Sequence, residues 1–220
     1  MKLLTASTAK MVKADKAGYL NLILHLAPAT LSGKNVCPKA SNGCAKTCLN
    51  TAGRGQFNSI QKARIAKTLR YFNERAQFEL ELISDIKAGI RKAARMNKTL
   101  AVRLNGTSDL PGLAIRIASM FPAVQFYDYT KIAKTFDRDL PANYHLTFSR
   151  SESNDSDVMR LLELGHNVAA VFAQMPKTWN GKQVIDGDKN DLRFLDPKGI
   201  IVGLSAKGKA KKDTSGFVIL

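Results

Sequence analysis

Cysteine is nearly absent from this sequence. Three residues, Cys37, Cys44 and Cys48, fall within twelve positions, and the rest of the 220 residues contain none. An odd, clustered set excludes a disulfide framework, which needs paired thiols spread along the chain. Acidic side chains are also scarce, 18 against 34 Lys and Arg, for a formal charge of +16. Long apolar runs are missing too. The most apolar stretch, Leu20 to Pro28, is too short to span a bilayer and contains His25. The N-terminus opens like a secretion signal, but Lys10, Lys13, Asp15 and Lys16 interrupt it before an apolar region of useful length. These absences point to a cytoplasmic protein with no membrane contact. No repeat, low-complexity tract or Pro/Gly/Ser linker divides the chain, so residues 1–220 read as a single domain. A glycine-rich phosphate loop, an HExxH pair and a Ser-His-Asp order are all lacking.

What is present is alternation. Leu20–Ala27 is a continuous apolar strand, and a Gly/Pro/Asn-rich segment, 32–55, follows with the cysteines. Residues 57–96 carry helical periodicity, too long for one globular helix, so two helices breaking near Asn73–Glu74 are expected. Further strands are expected at 99–104, 124–127, 144–148, 167–173 and 200–204. Helices are expected from Pro111 to Met120, with proline at the first turn, and from Ser156 to Leu164, closed by Gly165. Short apolar strands alternating with helices argue for an α/β fold with a mainly parallel sheet. Six such units suggest a partial (β/α)6, TIM-like barrel with the cysteine loop after the first strand; the alternative is an open doubly wound sheet. Either way, the polar residues just beyond the strands collect on one face, where ligands bind.

The cysteines are spaced C-x6-C-x3-C. Gly43 permits a tight turn into Cys44, and Cys44 and Cys48 share one face of any helix there. Three thiolates on one centre suit an iron–sulfur cluster, most simply 4Fe–4S, with one iron left for another ligand. Zinc asks for four ligands, usually with short C-x2–4-C pairs, and only His25, His145 or His166 could add a histidine. Lys39 and Lys46 are expected to offset an anionic cluster and lower the thiol pKa values.

The runs LAPATLSGKNVCPKASNGCAKTCLNTAGRG and RLNGTSDLP, with the C-terminal DGDKNDLRFLDPKGIIVGLSAKGKAKKDTSGFV, resemble the gene product 88 family of tailed bacteriophages. The resemblance covers nearly the whole chain and implies a phage-type protein acting in the host cytoplasm. A second resemblance is architectural. A cluster loop directly after the first strand of a six-unit barrel is similar to the radical S-adenosylmethionine enzymes. That resemblance implies S-adenosylmethionine as a second ligand, although the spacing here departs from their C-x3-C-x2-C motif.

Other residues at the strand ends are candidates for substrate binding: Asn105, Ser108 and Asp109 after the second strand, Asp128 after the third, Arg150 after the fourth and Lys207 after the last. Each has a plainer reading as a turn, a helix cap or a solvated charge. Asp186–Asp191 resembles a calcium loop but has Pro197 where the twelfth-position Glu belongs, so it reads as a polar lid with Arg193 and Asp196 as gates. Charge is uneven: the first 98 residues hold 18 basic and 5 acidic side chains, the remainder 16 and 13. That field favours an anionic small molecule or nucleic acid. Two functions are therefore expected: an iron–sulfur protein of redox or radical type, or a basic nucleic-acid-binding protein with a structural zinc or cluster site.

Overall fold

The computed structural model describes residues 2–5 and 17–220; the basic stretch 10–16 lies outside them. Each strand is short and rich in Val, Ile, Leu, Phe or Tyr, residues that suit a pleated, buried surface. They are β1 (Leu4–Thr5), β2 (Tyr19–Leu24), β3 (Thr99–Arg103), β4 (Gln125–Thr130), β5 (Tyr144–Ser149), β6 (Val168–Phe172), β7 (Thr178–Trp179), β8 (Lys182–Asp186), β9 (Ile201–Ser205) and β10 (Val218–Ile219). The helices are α1 (Asn42–Lys46), α2 (Asn58–Asn73), α3 (Arg75–Arg95), α4 (Pro111–Ser119) and α5 (Asp155–Glu163).

The break between α2 and α3 falls on Glu74, which leaves the helical region at φ −130° and ψ 45°. Proline stands at the start of α4, where its missing N–H costs nothing. Gly165, at φ +80°, turns the chain left-handed after α5.

The ten strands form one mostly parallel sheet in the order β1-β2-β3-β4-β5-β6-β9-β8-β7, with β10 also on β6. β1 joins β2 antiparallel, and β7 and β8 form an antiparallel hairpin. From β2 to β6 the spatial order follows the chain; beyond β6 it runs β9-β8-β7, against the chain. Among the described residues the two ends of the row, β1 and β7, do not pair, so the sheet is not closed.

The helices pack on one face. Leu20, Leu22, Leu24, Leu100, Val102, Phe126 and Leu146 meet Tyr71, Phe78, Leu82, Ile86, Leu113 and Ile117 in one core cluster. Two residues along β5, Phe148 continues that face to Val168, Ala170 and Phe172 beneath Val158, Leu161 and Leu162 of α5. Fully buried side chains such as Phe78, Leu82 and Ile86 each contribute about 1.5–3 kcal/mol relative to exposure.

The opposite face is covered by the chain between β8 and β9, not by helices. Leu192 packs there on Ala101 and Tyr127. Arg193, expected as a gate, is 1% exposed and hydrogen-bonds the Asn190 carbonyl at 2.8 Å. It is an interior plug, because a guanidinium held this way has no path to swing outward without leaving its partners. No helix among the described residues is long and apolar enough to cross a membrane.

Candidate functional site

The cysteine segment lies over the C-terminal ends of the parallel strands and is held from three sides. On the first, the β3–α4 loop grips its start: the Asp109 amide donates to the Val36 carbonyl at 2.8 Å, and Thr107 Oγ1 donates to the Leu26 carbonyl at 2.5 Å. Cys37 Sγ accepts from the Ala29 amide at 3.3 Å, and its thiol points to the Thr107 carbonyl at 3.8 Å. On the second, Glu152, beyond β5, accepts from the Gly43 amide and from Ser41 Oγ, both at 2.7 Å. Ser41 Oγ also accepts from the Cys44 amide, capping α1. On the third, the C-terminal segment closes down. A side chain at Gly43 would come within 2.3 Å of Ser215 Oγ and 2.7 Å of Phe217 Cβ, so only glycine fits. The Gly208–Lys212 turn packs on Leu49–Thr51, just after Cys48.

All three thiols are half-buried and free of disulfides. Cys37 feels the charge of both others, and Cys48 that of Cys44. Burial pushes the Cys37 thiol up to about 11 and raises that of Cys48 as well. The lowering expected from Lys39 and Lys46 does not occur, because both lysines are exposed and their field passes through water. The cations that do reach Cys48 are Arg64 from α2 and Lys131 after β4. Burial pushes the Glu152 carboxyl up, but Ser41 and Gly43 outweigh it and hold it below the usual carboxylate range. Among the described residues, no three or more His, Cys, Asp or Glu side chains are gathered as a site for a metal ion.

The other candidates at the strand ends are brought together, but bound largely to one another. Asp128 accepts from the Asn105 amide at 2.7 Å, from Asn105 Nδ2 at 3.0 Å and from Tyr144 OH at 3.1 Å. Asn105 Oδ1 accepts from Ser108 Oγ at 2.9 Å and the Leu110 amide at 2.8 Å. Asp109 accepts from Thr130 Oγ1 at 2.7 Å and the Lys131 amide at 2.8 Å. These residues bolt the β3–α4 loop to β4 and thereby fix the strap over Cys37. Arg150 pairs with Asp155 at 3.0 Å and donates to the Gly216 and Phe217 carbonyls, anchoring the C-terminal segment. Lys207 pairs with Asp188.

Asp128 carries a testable pH dependence. Burial pushes its carboxyl from 3.8 up to about 7, against the opposing pull of Arg103, Asn105 and Tyr144. The folded chain therefore holds a proton that the unfolded chain releases near pH 4. Stability falls as pH rises from about 4 to about 7 and is flat above. Between pH 5 and pH 8 the Asp128 contribution drops by on the order of 2 kcal/mol. Urea unfolding of wild type and Asp128→Asn at both pH values measures it, and parallel curves for the two proteins would refute it.

Sequence reading missed two residues here, Arg64 and Arg103. Arg64 is one charge among many on a helix. Arg103 was the readable one, a charge inside the apolar strand Thr99–Leu104. On the face away from the helices its Nη1 meets Asp191 Oδ2 at 2.7 Å, and its guanidinium lies 4.5 Å from the Tyr129 ring centre.

A family model described as gene product 88 matches residues 2–220. No curated protein and no solved structure matches the chain.

Proposed function

We propose that this chain, which belongs to the gene product 88 family, holds an iron–sulfur cluster on Cys37, Cys44 and Cys48 at the mouth of a partial (β/α)6 barrel. The observation that carries the reading is the strapping of one cysteine segment over the parallel strand ends, which sets three half-buried thiols in one another's field. Thiolates alone are the donor set that iron–sulfur clusters take, and a cluster spreads them over several irons instead of drawing them onto one ion. That favours a cluster over zinc, which in structural sites asks for four ligands on one ion. A cluster there would supply one-electron chemistry or an open iron site, the basis of a redox or radical-type reaction in the host cytoplasm. S-adenosylmethionine is a candidate second ligand on architectural grounds only.

The protein's own residues would serve this in distinct ways. Glu152 and Ser41 fix the turn into Cys44, and Asn105, Asp109 and Asp128 fix the strap over Cys37. Arg64 and Lys131 offset thiolate charge beside Cys48. Iron, sulfide and zinc measured after anaerobic purification decide the reading. Iron and sulfide in equal amounts support it, zinc without sulfide replaces it with a structural metal site, and a chain that takes up neither after reconstitution ends it.

A second reading, nucleic-acid binding, rests on α3. Lys87, Arg91 and Arg95 are exposed at i, i+4 and i+8, and no carboxylate pairs with them among the described residues. Such a stripe suits a phosphate backbone. DNA or RNA binding whose log affinity falls linearly with log salt, and which weakens in the triple Gln variant, is the expected result. No binding at low salt removes this reading.

A further inference from the structure

Near the ends of β2 and β3, beside the cysteine segment, three buried nitrogens have nothing to bind. Residues Asn21, Ile23 and His25 alternate toward the face away from the helices, and Ile23 stands opposite Arg103 on the neighbouring strand. The imidazole of His25 lies against the Gly106 backbone, beside Ile23, where a side chain at 106 would come within 2.6 Å of both. His25 Nδ1, Arg103 Nε and Arg64 Nε are each shut off from solvent and without a hydrogen-bond partner. The three side chains nevertheless keep part of their surface open.

Charges around this spot are mostly of one sign. His25 lies in the field of Arg64, Arg103 and Lys67, opposed by Asp191. Asp191 is already engaged, bonding Arg103 at 2.7 Å and accepting from Tyr129 OH at 3.3 Å. Lys67 is engaged as well, donating to the Leu3 carbonyl at 2.7 Å. Burial, reinforced by these cations, holds His25 down to about 3, so it stays neutral and can donate from one ring nitrogen. Each guanidinium has one nitrogen engaged, Arg64 Nη1 on Asn50 Oδ1 and Arg103 Nη1 on Asp191 Oδ2, and keeps Nε idle; with a neutral imidazole they are a donor set for an oxygen-rich anion, because a planar guanidinium suits carboxylate or phosphate oxygens.

We infer that His25, Arg64 and Arg103 bind a small oxyanion, the phosphate or carboxylate group of a substrate, at the mouth of the sheet. Arg64 also stands in the field of Cys48, so the bound anion lies beside the cysteine segment. The inference gives the substrate class for the cluster reading and rests on that reading only for its chemistry. Binding itself does not require iron.

Calorimetric titration of the full-length chain at low salt tests it, with inorganic phosphate in one arm and acetate in the other, before and after iron reconstitution. Saturable binding of either anion is expected, and the tighter arm names the group. Arg64→Gln should weaken it about 10- to 100-fold, the scale of one charge-assisted contact, while Arg138→Gln, at an exposed site before β5, leaves it unchanged. Absence of binding in both arms overturns the inference, as does an equal loss from Arg138→Gln, which would mean general attraction to a basic protein. If Arg64→Gln unfolds, His25→Phe replaces it with the same expectation. A chain that binds the anion but never holds iron retires the cluster and keeps this site.

Discussion

If the three cysteines hold the proposed cluster, serine at Cys44 or Cys48 should leave a chain that folds but loses its visible absorption and most of its iron after anaerobic reconstitution. A hydroxyl is a far weaker ligand for iron than a thiolate, and a cluster left with two cysteines has lost a corner of its cage. The fold survives because neither side chain belongs to the buried core. Cys37→Ser should lose iron too, and it also disturbs the contacts to Ala29 and Thr107. Glu152→Gln should act more mildly, weakening iron retention about 10- to 100-fold, as loss of an orienting partner does at metal sites. Metal analysis and visible spectra of the four variants give the ranking. Serine variants that keep wild-type iron and colour would sink the ligand assignment.

Asp191→Asn should destabilise the fold by about 3–5 kcal/mol, the cost of stranding a buried charge without its partner. Asp191 is 4% exposed and Arg103 15% on their side chains, and Tyr129 both stacks on the guanidinium and donates to the carboxylate. The pair fastens the chain between β8 and β9 against the sheet 88 residues earlier. Arg103 Nε is already unpartnered, so removing the carboxylate leaves a guanidinium with little to hold it. Replacing both residues, Arg103→Met with Asp191→Leu, should recover much of the loss, since an apolar pair has no charge to desolvate. Urea unfolding of the single and double variants measures this. A loss under about 1 kcal/mol in Asp191→Asn would show that the pair is solvated, like an ordinary surface bridge.

Elements with a period were readable in the sequence; elements defined by a distant partner were not. The α2–α3 break at Glu74, the proline start of α4 and the Gly165 stop are local signals, and the structure bears out each. The order of the parallel strands follows from alternating units with short connections. β1 and β10 are two residues each, too short to carry alternation. The β7–β8 hairpin did leave a mark, Asn180-Gly181, whose φ values of +48° and +72° suit a tight two-residue turn. At the site, the cysteines were conspicuous by spacing and their surroundings were not. Lys39 and Lys46 are neighbours in sequence but point into water. Arg64 reaches Cys48 because α2 folds back over the strand ends. Asn105, Ser108, Asp109 and Asp128 do lie close together, but sequence cannot tell mutual hydrogen bonding from an open pocket.

The placement of β10 sets a schedule for assembly. It pairs with β6 beyond the point where β5 ends, and Arg150 holds the approach to it. Ser215 and Phe217 then close on Gly43. A ribosome adding about 5–20 residues per second shows the cysteines to the cell roughly 10–30 seconds before those closing residues are made. During that interval three thiols stand uncovered on a growing chain. Oxidation can capture them then, so the cell's redox state at translation bears on the yield of protein with all three thiols free.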